Sequence, residues 1–201
     1  MKHTIVHASD VRFKKWSGGI SSEYYIYPEG AVRAEGNYDF VVTSATVELE
    51  ESVFSDYSGF DRVIMSLTKD YVLIHDDTDS YHLQPFEPHA FTGEQKTVSK
   101  GVYRDFNLIM KRDRCRGEMT SLLLAPGSAF YGLKGPDTGR HRIWTLFCAA
   151  GAFTYDGDGE PASVEAGDML VLDGVTGQET WRCANGGGED CRIVLCRVEL
   201  F

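Results

Sequence analysis

The run Tyr103-Arg104-Asp105-Phe106-Asn107-Leu108-Ile109-Met110 places hydrogen-bonding groups at alternate positions of an otherwise apolar segment. On a strand, a period of two sets Asp105, Asn107 and Ile109 on one face and Phe106, Leu108 and Met110 on the other. If the first face lines a barrel, Asp105 must be hydrogen-bonded or compensated, and Asn107 offers a donor and an acceptor to a bound amide or carboxyl group. The alternative is that both satisfy backbone groups at a rim. Asp61 and Arg62 are adjacent on an expected strand and point to opposite faces, so Arg62 shares its face with Phe60 and Ile64. Arg62 is then an inward cation, either turned to a ligand or paired with Asp105 in an internal salt bridge. In Trp16-Ser17-Gly18-Gly19, an aromatic wall would stand beside backbone that can approach a ligand closely, or a Trp would plug the end of a barrel. The candidate ligand-binding set is therefore Trp16, Ser17, Gly18, Gly19, Arg62, Asp105 and Asn107, polar groups converging on an apolar interior in the manner of a small-molecule site.

No catalytic residue, metal ligand or cofactor is assigned. Ser17, Ser21 and Ser22 have no His and acid at motif distance that would make one of them a nucleophile. A metal centre on a β-barrel needs two His at strand spacing, an acid and a further His. His75, His82 and His89 instead recur at intervals of seven, with Glu87 beside His89 in a Pro-rich stretch expected to be a loop. The enzymatic alternatives are a metal centre on these residues or a metal-free acid/base pair such as His89 and Asp61. Cys115, Cys148, Cys183, Cys191 and Cys196 form no C-x-x-C pair and read as reduced thiols in or near a core.

The elements that must position these residues are strands. Apolar runs of four to eight residues, rich in Val, Ile, Tyr and Phe, alternate with Gly, Asp and Asn clusters. The expected strands are Tyr24 to Tyr27, Phe40 to Leu49, Val63 to Leu67, Tyr71 to His75, Phe106 to Met110, Met119 to Leu124, Ile143 to Cys148, Met169 to Leu172 and Cys191 to Leu200. Turns are expected at residues 75–79, 156–159, 173–174 and 185–188, where Asp, Asn and Gly tolerate positive φ. Residues 126–142, with Pro126, Pro136 and several glycines, read as a connection between halves covering 1–125 and 143–201. The second half is completed by strands from the N-terminal part, and its Gly167-Asp168 turn opens a short apolar strand.

At 201 residues, with 42% hydrophobic and 25% charged residues, the chain can bury a core of its own. A net charge of -10 repels a phosphate backbone and disfavours nucleic-acid partners. The start lacks the apolar centre of a secretory signal and no run approaches the ~20 apolar residues of a membrane span, so a cytoplasmic location without membrane association is the expectation. Edge strands of such folds pair between subunits, which admits a homodimer.

Three segments in fixed order carry a family resemblance: residues 16–23 leading to Tyr27-Pro28; Phe40 to Val47 leading through residues 54–62; and Gly101 to Met110, with residues 83–93 as a further match. Together they resemble the HutD/Ves family, strongly over about Val11 to Lys111. The resemblance implies an all-β double cupin (bicupin), two β-barrels or jelly rolls side by side in one chain. It also implies a non-catalytic role in binding a small polar metabolite, with an anionic, formylglutamate-like carboxylate or amide among the options, regulatory or buffering in histidine or amino-acid breakdown. A cupin-type enzyme, as a metal-dependent oxygenase or metal-free isomerase, and a protein-interaction module are the alternatives. The chain departs from the family pattern at Val41, where relatives carry an Arg able to clamp a carboxylate, and at Trp16-Ser17-Gly18-Gly19, which replaces W-x-N-G-G-G.

Overall fold

The computed structural model describes residues 1–16, 18–132, 135, 137, 139–157 and 159–201. In chain order the strands are β1 (Lys2–Val6), β2 (Arg12–Trp16), β3 (Gly19–Tyr27), β4 (Phe40–Val47), β5 (Glu51–Val53), β6 (Phe60–Ser66), β7 (Tyr71–His75), β8 (Asp79–Leu83), β9 (His89–Thr92) and β10 (Thr97–Lys100). They continue with β11 (Tyr103–Lys111), β12 (Cys115–Leu124), β13 (Ala129–Tyr131), β14 (Arg142–Ala150), β15 (Ala152–Asp156), β16 (Ala162–Glu165), β17 (Met169–Asp173), β18 (Arg182–Ala184) and β19 (Cys191–Leu200). The fold is that of a double cupin, nearly all β, with four sheets none of which closes on itself among the described residues. No described helix is long and apolar enough to cross a membrane.

Two compact units divide the chain: Val11–Met119, and Met1–Asp10 together with Thr120–Phe201. This differs from the expected first half of 1–125. β1 pairs with β17 from Lys2↔Asp173 to Val6↔Met169, so the first residues belong to the C-terminal unit. The Gly167-Asp168 turn secures this arrangement, because the Asp168 carboxylate accepts hydrogen bonds from the Ala8 amide at 2.9 Å and from the His7 ring at 3.1 Å.

The N-terminal unit holds a six-stranded sheet, β2-β3-β4-β11-β6-β9, and a four-stranded sheet, β5-β10-β7-β8. Val47, Ile64, Tyr71, Leu73, Phe91 and Tyr103 form one of its buried clusters, while Tyr38, Val41 and Ile109 form another. Both clusters draw on the inward face of alternating strands, as the period-two pattern of β4 and β11 requires. The turn after β7 has Asp76 and Asp77 at φ 52° and 62°, where Asp is among the few residues that sit without large strain. The C-terminal unit pairs β1-β17-β14-β19-β12 with β13-β18-β15-β16 over a core containing Trp144, Leu146, Phe153, Tyr155 and Trp181. All five cysteines are buried and free.

Gly93 closes the loop that leads into β6: its amide donates to the Phe60 carbonyl at 2.7 Å, and its carbonyl accepts from the Tyr57 amide at 3.1 Å. A Cβ at this position would lie 1.9 Å from the Tyr57 carbonyl oxygen, so backbone would have to move. Gly93→Ala is expected to lose about 2–3 kcal/mol of stability through overpacking, read as a lowered midpoint in urea unfolding at unchanged slope.

Candidate functional site

A cavity of about 820 Å³ opens on the inward face of the six-stranded sheet, entirely within the N-terminal unit. Its polar floor follows from register. One cross-strand row runs Lys14, Ser21, Ala45, Asp105, and the next runs Arg12, Glu23, Thr43, Asn107. A third runs Ile26, Val41, Ile109, Arg62, Phe91. Because directly opposed residues share a face, these side chains converge although they come from six strands.

Arg62, Asn107 and Asp105 form a directed chain on this floor, at 7%, 5% and 3% exposure. Arg62 Nη2 donates to Asn107 Oδ1 at 3.0 Å, and Asn107 Nδ2 donates to Asp105 Oδ1 at 2.8 Å. Asp105 Oδ1 also accepts from the Ala45 amide at 2.9 Å. The expected alternative of an Arg62–Asp105 salt bridge is thus replaced by an amide standing between the two charges. The Arg62 guanidinium carbon lies 5.1, 5.2 and 4.9 Å from the ring centres of Phe54, Tyr57 and Phe91, within cation–π range of all three. Burial pulls the Arg62 pKa down to about 10, with Tyr57 and Asp105 opposing the shift, so it remains a cation at neutral pH. Burial pushes Asp105 up to about 7, against the hydrogen bond from Ala45 and the attraction of Arg62.

Around this floor stand further cations that the sequence reading did not include. Arg33, from the 3₁₀ turn Arg33–Glu35, donates through Nε to the Tyr57 hydroxyl at 3.1 Å and through Nη2 to the same oxygen. Arg12 and Lys14 line the cavity from β2 together with Trp16. A signal for these two existed, since Arg12, Lys14 and Trp16 alternate as one face of a strand. Arg33, Phe54 and Tyr57 sit on irregular backbone, where no periodicity marks a side chain as inward.

Of the expected binding residues, Trp16, Arg62, Asp105 and Asn107 line the cavity, while Gly18 and Gly19 do not. The glycines allow close packing instead: a Cβ on Gly18 would meet the Trp16 ring at 2.3 Å, and one on Gly19 would meet the Thr46 carbonyl oxygen at 1.9 Å. Ser17 lies outside the described residues. Val41 is fully buried against Tyr38 and Ile109.

The histidines separate. His82 pairs with Asp70 at 3.0 Å on the surface, and Glu87 accepts from the Gln84 amide at 2.9 Å. His89 starts β9 instead of lying in a loop, and its Nε2 meets His75 Nε2 at 3.0 Å. The rings are nearly coplanar at 11°, with centroids 5.2 Å apart, farther than the nitrogens by about one ring width, so they meet head to head. His75 Nδ1 contacts Thr97 Oγ1 at 2.9 Å, and that hydroxyl donates to the Gln95 carbonyl, which makes His75 Nδ1 the donor and His89 Nε2–H the donor to His75. Asp61 binds Arg112 at 2.9 Å and lies opposite Thr92, so it forms no acid/base pair with His89. Among the described residues no three His, Cys, Asp or Glu are grouped to hold a metal ion.

The Asp105 carboxyl holds its proton up to about pH 7 when folded but only to about 3.9 when unfolded. Between these values the native state binds more protons, so this group's contribution falls as pH rises and is least favourable above pH 7. Asp105→Asn is therefore expected to raise stability near pH 8 by up to about 4 kcal/mol and to change it little near pH 4, checked by urea unfolding at both. His75 and His89 are shifted the other way: burial holds both below the ordinary range. The unfolded chain then takes up more protons as pH falls through about 6.5. The melting temperature should drop over that window, and His89→Gln should lessen the drop.

A family model described as HutD matches residues 8–193. PA5104 from Pseudomonas aeruginosa PAO1, described as a conserved protein of unknown function, superposes with a TM-score of 0.81 at 22% identity, covering 100% of both chains. HutD from Pseudomonas fluorescens SBW25 superposes at 0.73 with 21% identity, again covering 100% of both. A cupin 2 conserved barrel domain protein from Leptotrichia buccalis gives 0.56 at 11% identity, over 94% of this chain and 91% of that one. No curated protein sequence matches. The match over nearly the whole length shows that the chain belongs to the HutD family.

Proposed function

We propose that this protein is a non-catalytic binder of a small anionic metabolite bearing a carboxylate and an amide-like polar group, held in the cavity of the N-terminal unit. The carrying observation is Arg62, a buried cation on the floor of an 820 Å³ cavity that touches no carboxylate among the described residues. Its Nε is buried without a hydrogen-bond partner, and Nη2 alone is engaged. Arg12, Lys14 and Arg33 add three cations against Glu23 and Asp105, a cationic enclave in a chain of net charge -10. Low-dielectric walls focus such a field on an entering anion. Among the described residues the cavity's lining contains neither His nor Cys, and Ser21 Oγ is turned to the Lys14 carbonyl at 3.3 Å, which favours binding over covalent chemistry. Membership of the HutD family supports a regulatory or buffering role in histidine or amino-acid breakdown, with formylglutamate-like acids as the first candidates.

A thermal-shift series with formate, acetate, glutarate and N-formylglutamate tests this. An acid at ~100 times its dissociation constant should add about 2.7 kcal/mol, and Arg62→Met should abolish the shift. Stabilisation by neutral or cationic metabolites only, or an equal shift in the Arg62 variant, would overturn the reading.

A further inference from the structure

We propose that the anion bound in this cavity is taken up together with a proton, which Asp105 carries and donates to the ligand's carboxylate. The inference rests on the anion-binding reading above and adds the protonation state in which the ligand is recognised.

The geometry around Asp105 divides its two oxygens. Oδ1 is saturated, accepting from the Ala45 amide at 2.9 Å and from Asn107 Nδ2 at 2.8 Å. Among the described residues Oδ2 has no hydrogen-bond partner, although the side chain lines the cavity and the residue is only 3% exposed. No cation touches the carboxyl, since Arg62 spends its contact on Asn107. A ligand carboxylate docked on Arg62 would therefore lie about one amide width from the Asp105 carboxyl. Two carboxylates at such range in a dry site do not both stay ionised; one proton enters and is shared. With that proton on Oδ2, the floor presents two donors side by side, the Arg62 guanidinium and the Asp105 O–H, to one carboxylate. Without it, Oδ2 would repel the ligand that Arg62 attracts.

The charged and titratable groups around Asp105 agree with this. Arg104, on the opposite face of β11, is engaged with Ser44 Oγ at 3.1 Å and with the Tyr24 hydroxyl at 3.3 Å. From β7 and from β11 itself, Tyr71 and Tyr103 have phenols that burial keeps neutral, and they bring no positive charge. Lys14 of β2 stands in the same cross-strand row but is exposed, and Glu23 of β3 adds a negative charge across the cavity. Arg12 of β2, Arg33 and Arg62 of β6 are the other cations lining the cavity, and a bound anion offsets the pull of Arg62 on the Asp105 proton. Proton and anion therefore favour each other's binding, as linkage requires.

The test is isothermal titration calorimetry of the full chain with glutarate in buffers of different ionisation enthalpy. Near pH 8, about one proton should be taken up per glutarate bound, falling toward none near pH 5.5, and affinity should weaken by about tenfold per pH unit above about 7. Asp105→Asn should lose both the proton uptake and the pH dependence. Glutarate binding to the wild type with no proton uptake at any pH would overturn the inference while leaving the anion reading standing. Absence of binding at every pH by glutarate and by formate, acetate and N-formylglutamate in the same titration would overturn both. Because the wild-type proton count decides by itself, a variant that fails to fold does not weaken the test.

Discussion

The site is organised around a guanidinium held almost wholly out of water. Withdrawing such a charge from solvent costs several kcal/mol even after the protein relaxes. Arg62 meets that cost without a carboxylate, through one hydrogen bond to Asn107 and three aromatic rings. Each compensating group makes a structural demand. Asn107 requires β11 beside β6, and Phe91 requires β9 on the far edge in a register that sets it opposite Arg62. Phe54 and Tyr57 require the segment between β5 and β6 to turn inward, which the close approach at Gly93 permits. The far edge of the larger sheet is thereby committed to keeping one cation charged.

Placing Asn107 between Arg62 and Asp105 has a further consequence. A direct salt bridge would satisfy both ions and leave the cavity floor with little to offer an incoming charge. The intervening amide separates them, so Arg62 keeps unspent donors and Asp105 keeps an unspent oxygen. The price is a carboxyl whose pKa rises to about 7. Behind Phe91 the same economy of charge applies. His75 and His89 share a head-to-head hydrogen bond, and burial keeps both rings neutral, so no second cation sits behind the rings that cage Arg62.

The long, apolar part of the fold was legible in the residues. Each of the nine expected runs falls on a strand, and the longest, β4, β11, β14 and β19, are near-continuous runs buried on both faces over eight to ten residues, which Gly, Asp and Asn clusters bound. β1, β2, β5, β8, β9, β10, β13, β15, β16 and β18 were missed. Each has only three to five residues, and β2 reads Arg-Phe-Lys-Lys-Trp, a composition that marks no strand by hydrophobicity. In the site, Asp105, Asn107 and Arg62 could be read because alternation alone fixes their face. Gly18 and Gly19 lie outside the cavity's lining, because a glycine pair signals close approach without saying to what; here it is the Trp16 ring and the Thr46 backbone. Which N-terminal strand joins the C-terminal unit was not legible from local pattern, since the pairing of β1 with β17 spans over 160 residues.

The position of the cation carries a last piece of reasoning about the family pattern. Where the resemblance leads one to look for an arginine, β4 has Val41, packed with Tyr38 and Ile109. Yet Val41 lies opposite Ile109 of β11, and Ile109 lies opposite Arg62 of β6. The two positions belong to one row, two strands apart. Rows across an antiparallel sheet sit at a common height on a common face, so a charge moved along a row keeps its depth in the cavity while changing its side. With Val41 on β4, the guanidinium at that level comes from β6, with Ile109 of the intervening strand lining the cavity and Val41 fully buried.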